Sequence, residues 1–264
     1  IIDLGGRKER YDAVVLATGG ASYTSTGSTG DGYAFAKAFG HSVTPIVPSL
    51  ISLETEEDWP KELMGLSLKN VTLNAYNKKK KLVYSELGEM LFTHFGVSGP
   101  LVLSASSRIA DDPAGARLTI DLKPGLDADE LDRRLVRDFQ QNSRKSFQNA
   151  LDGLFPRRMI PVMVQLSGIA ADTETNSVTR EQRHAFAALI KCVPITVKAA
   201  MPIDQAIITR GGINVKEIDP STMESKLVSG LYFAGEVIDV DAYTGGFNIQ
   251  IACSTGVLAG RSII

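Results

Sequence analysis

Both ends of the chain are written as short apolar runs broken by glycines, whereas a stretch past the middle carries apolar residues at three- and four-residue spacing. The opening IIDLGGRKERYDAVVLATGG predicts a short strand, a turn at Gly5-Gly6 and a second strand over residues 13–17. That second run is apolar throughout, the pattern of a strand covered on both faces. A glycine-rich loop over residues 19–32 follows, and YAFAKAFG then predicts a helix with Gly40 as its C-terminal cap. Between residue 43 and about 122 the pattern changes to β-like runs at 49–53, 67–76, 81–84 and 118–122. Residues 77–81 predict a hairpin tip, and its four lysines read as a solvated turn that blunts a sheet edge rather than as a binding patch. From 127 to about 190, LDRRLVRDF and HAFAALI predict small packing helices. Strand signals return at 195–199 and 205–209. The closing unit predicts a strand over 231–234, a turn at Gly235-Glu236, a glycine pair and a helix from about Asn248. That helix places Ile249, Ala252, Cys253, Gly256, Val257 and Gly260 on one face for close packing.

An α/β opening, a β-rich then helical middle and an α/β ending is the order expected when a second domain is inserted into a nucleotide-binding sheet. The expected class is α/β at the two ends and α+β overall. Residues 1–42 and 201–264 form the interrupted domain, and 43–200 the insert, β-rich over 43–125 and 191–200 and helical over 126–190.

Composition narrows the function. The 264 residues are 44% hydrophobic and 22% charged, enough for a well-buried core in one large domain or two smaller ones. A formal net charge of -2 gives no global field toward nucleic acid or an anionic membrane, so neither is an expected partner. No run approaches the ~20 apolar residues that span a bilayer. Cys192 and Cys253, without CxxC spacing, exclude a disulfide scaffold and a cysteine-based metal site, which makes a reducing cytoplasm the expected location. His41, His94 and His184 are too scattered for a metal site. There is no Walker GxxxxGK[ST] and no HExxH, and Gly96-Val97-Ser98-Gly99 misses the GxSxG elbow by one residue.

The glycine pair Gly245-Gly246 before the last helix is a candidate site, because unpaired N–H groups of Gly246, Phe247 and Asn248 would face a carbonyl or anionic ring edge. An ordinary strand–loop–helix connection explains the spacing equally well. The strings VLATGG with GSTGDGY, FTHFGVSGP, TRGGI, and TMESKLVSGLYFAGEVIDVDAYTGGFNIQIACSTGVLAG, in that order, resemble the HI0933-like or aminoacetone-oxidase-like flavoprotein family. The resemblance covers nearly everything from residue 11 to 260.

In that family an FAD-binding Rossmann-type domain is interrupted by a substrate domain with a β-barrel-like part and a small helical part. The family's opening GxGxxG and its following acidic residue have no counterpart here, since Gly27, Gly30 and Gly32 do not reproduce the spacing. The chain therefore resembles the C-terminal two-thirds of such a protein, and it is expected to bind FAD weakly or not at all and to self-associate. The resemblance implies that Ala17, Thr18 and Gly19 pass close to the dinucleotide and that Gly235 and Glu236 contact its ribityl or pyrophosphate portion. It also implies that Gly246, Phe247 and Asn248, after Gly245, face the pyrimidine side of the flavin, where N–H donors stabilise the reduced ring. Without the resemblance, Glu236 reads as a surface carboxylate.

Two catalytic candidates are weaker. His94 is placed to polarise a carbonyl or donate a proton, but a histidine in a Gly/Pro-rich loop more often hydrogen-bonds backbone, and that reading is preferred. Arg210 is a candidate for holding an anionic substrate or a nicotinamide nucleotide phosphate, with a surface salt bridge equally expected. The resulting expectation is an FAD-dependent oxidoreductase, reduced by NADH or NADPH and reoxidised by a small organic acceptor or oxygen. The alternatives are a flavin-binding or interaction module without turnover, and a flavoprotein acting on tRNA, which the lack of an interleaved basic and aromatic run disfavours.

Overall fold

The structure, a computed structural model, describes residues 2–3 and 5–263. The chain divides into two units, residues 52–200, called the inner unit for its place in the sequence, and the flanking residues 1–51 with 201–264, the outer unit.

The inner unit is built on a closed six-stranded barrel. Its strands, in order around the barrel, are Val193–Ala200, Leu53–Thr55, Gly96–Ser98, Leu82–Phe92, Ser67–Tyr76 and Arg117–Asp121. Alternation sends Val71, Leu73 and Ala75 inward from one strand and Leu118 and Ile120 from its neighbour. Leu68 breaks that odd-numbered phase, and the structure accommodates it with a register shift between Leu68 and Val71, where Asn70 sits at φ 53°. The sequence reading missed a helix inside the β-rich region, Pro100–Arg108, whose Leu101, Val102 and Ala105 are buried. Glycine and proline at its start read as a loop signal, yet proline at the first helical position is a helix opening.

The helical part of this unit is well specified. Helix Ala128–Gln141 starts at a reciprocal Asp127–Glu130 capping box, and helix Arg180–Lys191 at a Thr179–Gln182 box. Leu131, Leu135 and Phe139 form one buried stripe at four-residue spacing. Phe147 lies at the centre of this part, edge-on to Phe139 at 6.0 Å and to Phe186 at 5.1 Å between ring centroids.

The outer unit contains a parallel pair, Val14–Leu16 with Leu231–Phe233, an antiparallel pair, Val47–Ser49 with Ile208–Arg210, and helices Asp31–Ala38 and Phe247–Ser262. The run at 49–53, read as one strand, is two. Leu50 adopts φ 52° between Val47–Ser49 in the outer unit and Leu53–Thr55 in the barrel. Residues 43–51, assigned to the insert on sequence, therefore group with the outer unit. The fold is α+β with a barrel, as expected from the sequence. One packing expectation is reversed. Ile249, Cys253, Gly256, Val257 and Gly260 of the last helix are exposed, while Ile251, Thr255, Leu258 and Ala259 turn inward. No helix among the described residues is long and apolar enough to cross a membrane.

Candidate functional site

Parallel strands place their carboxyl ends at one edge of a sheet, which is where ligands of open α/β sheets bind. Here Leu231, Tyr232 and Phe233 lie opposite Val14, Val15 and Leu16, so Ala17-Thr18-Gly19 and Ala234-Gly235-Glu236 leave the sheet side by side. The Ala234 N–H donates to the Leu16 carbonyl at 3.0 Å. Two of the sequence-predicted groups thus come together although more than two hundred residues separate them.

Glu236 is half-buried and accepts, through Oε1, hydrogen bonds from the Thr209 N–H at 2.6 Å and the Ser22 hydroxyl at 3.1 Å. Thr209 Oγ1 in turn accepts from the N–H groups of Ala21 and Ser22, at 2.7 and 3.0 Å. The knot fixes the loop that follows Ala17–Gly19 onto strand Ile208–Arg210. A Cβ at Gly20 would collide with both Thr209 and Glu236, which explains the glycine. Glu236 is thus tied into the protein, against the bare surface carboxylate that spacing alone suggests. Thr209 lies in the quoted TRGGI string, but the charge of Arg210 drew the reading to its neighbour. Arg210 itself is half-buried, opposite Val47.

Two buried hydroxyls here make no hydrogen bond to the described residues, Thr18 Oγ1 and the Tyr33 phenol. Thr18 packs against Gly32 in the first turn of helix Asp31–Ala38, where any Cβ would strike its hydroxyl. Burial, then the carboxylates of Glu236 and Asp239, push the Tyr33 phenol up to about 12, so it stays a neutral donor across the physiological range. Sequence reading missed Tyr33, because a tyrosine after a glycine-rich loop carries no motif.

The last helix supplies the third group. Gly246 caps it at φ 93° with no side-chain hydrogen bond to the first turn, and Gly245 lies at φ 109°. Such values favour glycine, and nothing lies within 4 Å of where a Gly246 Cβ would be. Asn248 braces the loop, its Oδ1 accepting from the Ala242 N–H and its Nδ2 donating to the Ala242 carbonyl, both at 2.9 Å. Phe247 is 59% exposed. The Gly235 N–H donates to Thr255 Oγ1 at 2.9 Å, so the helix start stands eight residues, about 12 Å, along the axis from Gly235.

His94 belongs to the barrel unit. It is exposed, its ring edge-on to Phe95, and it makes no hydrogen bond to the described residues. The expected backbone lock is supplied by its neighbour, since Thr93 Oγ1 accepts from the Gly96 N–H at 3.1 Å. His41 is the buried histidine. Its Nδ1 meets Glu217 at 3.1 Å and its Nε2 meets Ser225 at 2.8 Å, the bonding order of a charge relay. Ser225 Oγ already accepts from the N–H groups of Leu227 and Val228 and is buried, so this arrangement clamps a turn and offers no nucleophile. Among the described residues no group of three or more His, Cys, Asp or Glu side chains is placed to hold a metal ion.

Residues 47–208 match the family model described as "HI0933-like protein barrel and H2TH domain". The chain belongs to the HI0933-like family. Among its HI0933-like relatives is a protein of Clostridium scindens called "3-dehydro-bile acid delta(4,6)-reductase", 30% identical over 99% of this chain and 64% of its own length. Proteins of Haemophilus influenzae and Escherichia coli called "Ribosomal RNA dihydrouridine synthase" are 32% and 30% identical, over 95% and 100% of this chain. The chain spans 60–64% of the length of these relatives.

Proposed function

We propose that the protein is an FAD-dependent oxidoreductase that adds hydrogen across a carbon–carbon double bond, with the outer unit holding the cofactor and the barrel unit serving the substrate. The observation that carries this reading is the meeting of Ala17–Gly19 with Gly235-Glu236 at the carboxyl ends of two parallel strands, in a chain of this family. The residues fit the cofactor. Among the described residues the Thr18 hydroxyl has no hydrogen-bond partner, Gly246 leaves open ground at a helix start, and no side chain caps the N–H groups of Phe247 and Asn248. Ala17, Thr18, Gly19, Gly235 and Glu236 would hold the dinucleotide chain, and Gly245, Gly246, Phe247 and Asn248 the pyrimidine edge of the flavin. FAD, when bound, supplies two-electron hydride chemistry, with NADH or NADPH as the proposed reductant.

The protein's own contribution is positional. The helix start presents N–H groups and the positive end of its dipole, which favour negative charge on a reduced ring. Glu236, pinned by Thr209 and Ser22, keeps its second oxygen for a ligand hydroxyl. His94, exposed and unbonded to the described residues, is the proposed proton donor, and Arg210 the proposed anchor for an anionic substrate or nucleotide phosphate. Exposed thiols at Cys192 and Cys253 suit the cytoplasm.

The relatives' names support the chemistry. One is a reductase of a bile acid at delta(4,6), and the product named for the others, dihydrouridine, is a reduced uridine. A small conjugated molecule is the first substrate class to test, and a uridine within ribosomal RNA is the second, favoured by two of the three names. Titration of the chain with FAD is expected to perturb the visible flavin bands, and addition of NADH or NADPH to bleach them. Unperturbed bands at saturating FAD, both in this chain and in the protein from its complete reading frame, would overturn the flavin reading. Bleaching followed by reoxidation on adding an enone, but not RNA, would select the small molecule.

A further inference from the structure

Three segments far apart in the sequence meet at one buried imidazole that the flavin reading does not use. His41 follows helix Asp31–Ala38, its side chain is fully buried, and its ring stands edge-on to Phe233 at 4.8 Å between centroids. Nδ1 faces Glu217 Oε2 at 3.1 Å, and Nε2 faces Ser225 Oγ at 2.8 Å. The donors and acceptors in this row determine where each hydrogen sits. A serine oxygen accepts through two lone pairs, and those of Ser225 are taken by the N–H groups of Leu227 at 3.0 Å and Val228 at 2.8 Å. The Ser225 hydroxyl therefore donates to Nε2, and the ring proton sits on Nδ1, donated to Glu217. We propose that this row is an acid-sensitive latch: a proton taken up at His41 Nε2 releases the turn Ser225–Val228, which leads into strand Leu231–Phe233.

Protonation turns Nε2 from an acceptor into a donor. Ser225 Oγ then meets three N–H groups with two lone pairs, and its own hydrogen loses the acceptor it had. One N–H must leave. Leu227 holds the longer bond and is 54% exposed, so water replaces the serine there first. The other side of the ring is undisturbed, because Nδ1 keeps its proton and the Glu217 carboxylate pairs with the imidazolium. Glu217 is itself anchored, accepting from the Ser42 hydroxyl and, at 2.9 Å, from the Ser42 N–H. The charge is held while the turn is let go.

The other charges on the segments around the ring are engaged elsewhere or lie in solvent. Lys37, in the last turn of Asp31–Ala38, and Lys216 are exposed, and Lys226 Nζ donates to the Lys216 carbonyl at 3.0 Å. Asp219 Oδ1 accepts from the Ser221 N–H and Glu224 Oε1 from the Gly230 N–H, both at 2.8 Å. Strand Leu231–Phe233 presents the uncharged Phe233 ring. Release of the turn reaches toward the candidate site, because the Ser225 N–H donates to the Leu231 carbonyl at 2.7 Å and that strand runs on into Ala234-Gly235-Glu236. The latch is a property of the fold and needs no cofactor to operate.

Amide exchange of the whole chain, followed by NMR between about pH 8 and 5 where histidine changes charge, tests the latch. After correction for intrinsic rates, protection at Leu227 and Val228 is expected to fall about tenfold or more across that range, since one coupled proton yields up to about tenfold per pH unit. Protection at Ile213, whose N–H donates to the Val237 carbonyl, is expected to hold, which separates the latch from acid unfolding of the unit. The imidazole nitrogen shifts of the parent protein test it without any substitution. They are expected to show Nδ1 protonated and Nε2 bare at about pH 8, with ring charging and loss of protection sharing one midpoint. His41→Gln, which takes up no proton, is expected to abolish the pH dependence. Constant protection at Leu227 and Val228, an equal fall at Ile213, a protonated Nε2 at the alkaline end, or the parent's pH dependence in His41→Gln would each overturn the proposal.

Discussion

The barrel closes on itself, each of its strands bonded on both sides, and its interior aliphatic row passes into the aromatic cluster around Phe147. The outer unit has, among the described residues, only two-stranded sheets, and its parallel pair leaves Val15 39% exposed. Phe35, Phe39, Ile249 and Val257 are also more than half exposed or close to it in that unit. Its own, smaller apolar core around Ile213, Phe233 and Val237 is joined by a set of polar knots: Glu236 with Thr209, His41 with Glu217 and Ser225, and Asn248 with Ala242. Closure and a large apolar core stabilise one unit, and a smaller core with specific hydrogen bonds orders the other. The open carboxyl ends of the parallel pair are the kind of place where ligands of α/β sheets bind, and the packed interior of the barrel is not.

The strongest test of that contrast is Phe147→Ala, which removes the centre of the aromatic cluster and is expected to cost ~3–5 kcal/mol. Trp59, the single tryptophan, is buried against Phe92 in the barrel unit and reports this loss by fluorescence during urea unfolding. A shift under 1 kcal/mol would break the picture of a burial-driven unit. In the outer unit, Gly211→Ala is expected to cost about 1–3 kcal/mol from backbone conformation alone. Gly211 lies at φ 89°, and an added Cβ would collide with the Pro45 carbonyl. Faster amide exchange at Phe233, with Trp59 fluorescence unmoved, is the expected signature.

A smaller effect separates the polar knots from ordinary surface pairs. Hydrogen bonds from the Ser42 hydroxyl first, opposed by desolvation and aided by the Ser42 N–H and His41, hold the Glu217 carboxyl below its ordinary value of 4.5. Its folded pKa is depressed, so its contribution is present above about pH 4.5 and is lost as pH falls through the folded value. Thermal melts of Glu217→Gln are expected to show a shallower acid loss than the parent below pH 4.5, and identical slopes would remove the knot from the account. Smallest of all is Tyr33→Phe. Removing a buried hydroxyl that has no partner among the described residues is expected to leave the melting temperature unchanged or slightly raised, and a clear drop would reveal a bond that the geometry lacks.

How much of this was legible follows the same division. Alternation over 71–76, with Leu68 one phase earlier, is enough for the predicted strand and the observed Ser67–Tyr76 to coincide, and the polar run at 77–81 marks the turn. The strand beginning at Leu82 was cut short at 84 because Ser85, Glu86 and Leu87 are all exposed, which hides the alternation over an eleven-residue strand. The last helix misled for a physical reason. Small and apolar residues line both of its faces, and periodicity alone does not say which one is covered. Glu236 and Asn248 were found through their motifs, but their partners Thr209 and Ala242 were invisible, since a backbone N–H has no residue type.

The junctions of the two units carry a consequence for ancestry and engineering. Leu53 and Ala200, near the two ends of the inner unit, are direct partners on neighbouring strands, about 5 Å apart. In the outer unit, Val47–Ser49 and Ile208–Arg210 are paired in the same way, so the chain departs and returns through adjacent strands. An insertion with such closely spaced ends asks little of its host. The barrel could be exchanged for another module, or its ends sealed and reopened as a circular permutant, by rewriting a few residues at two seams.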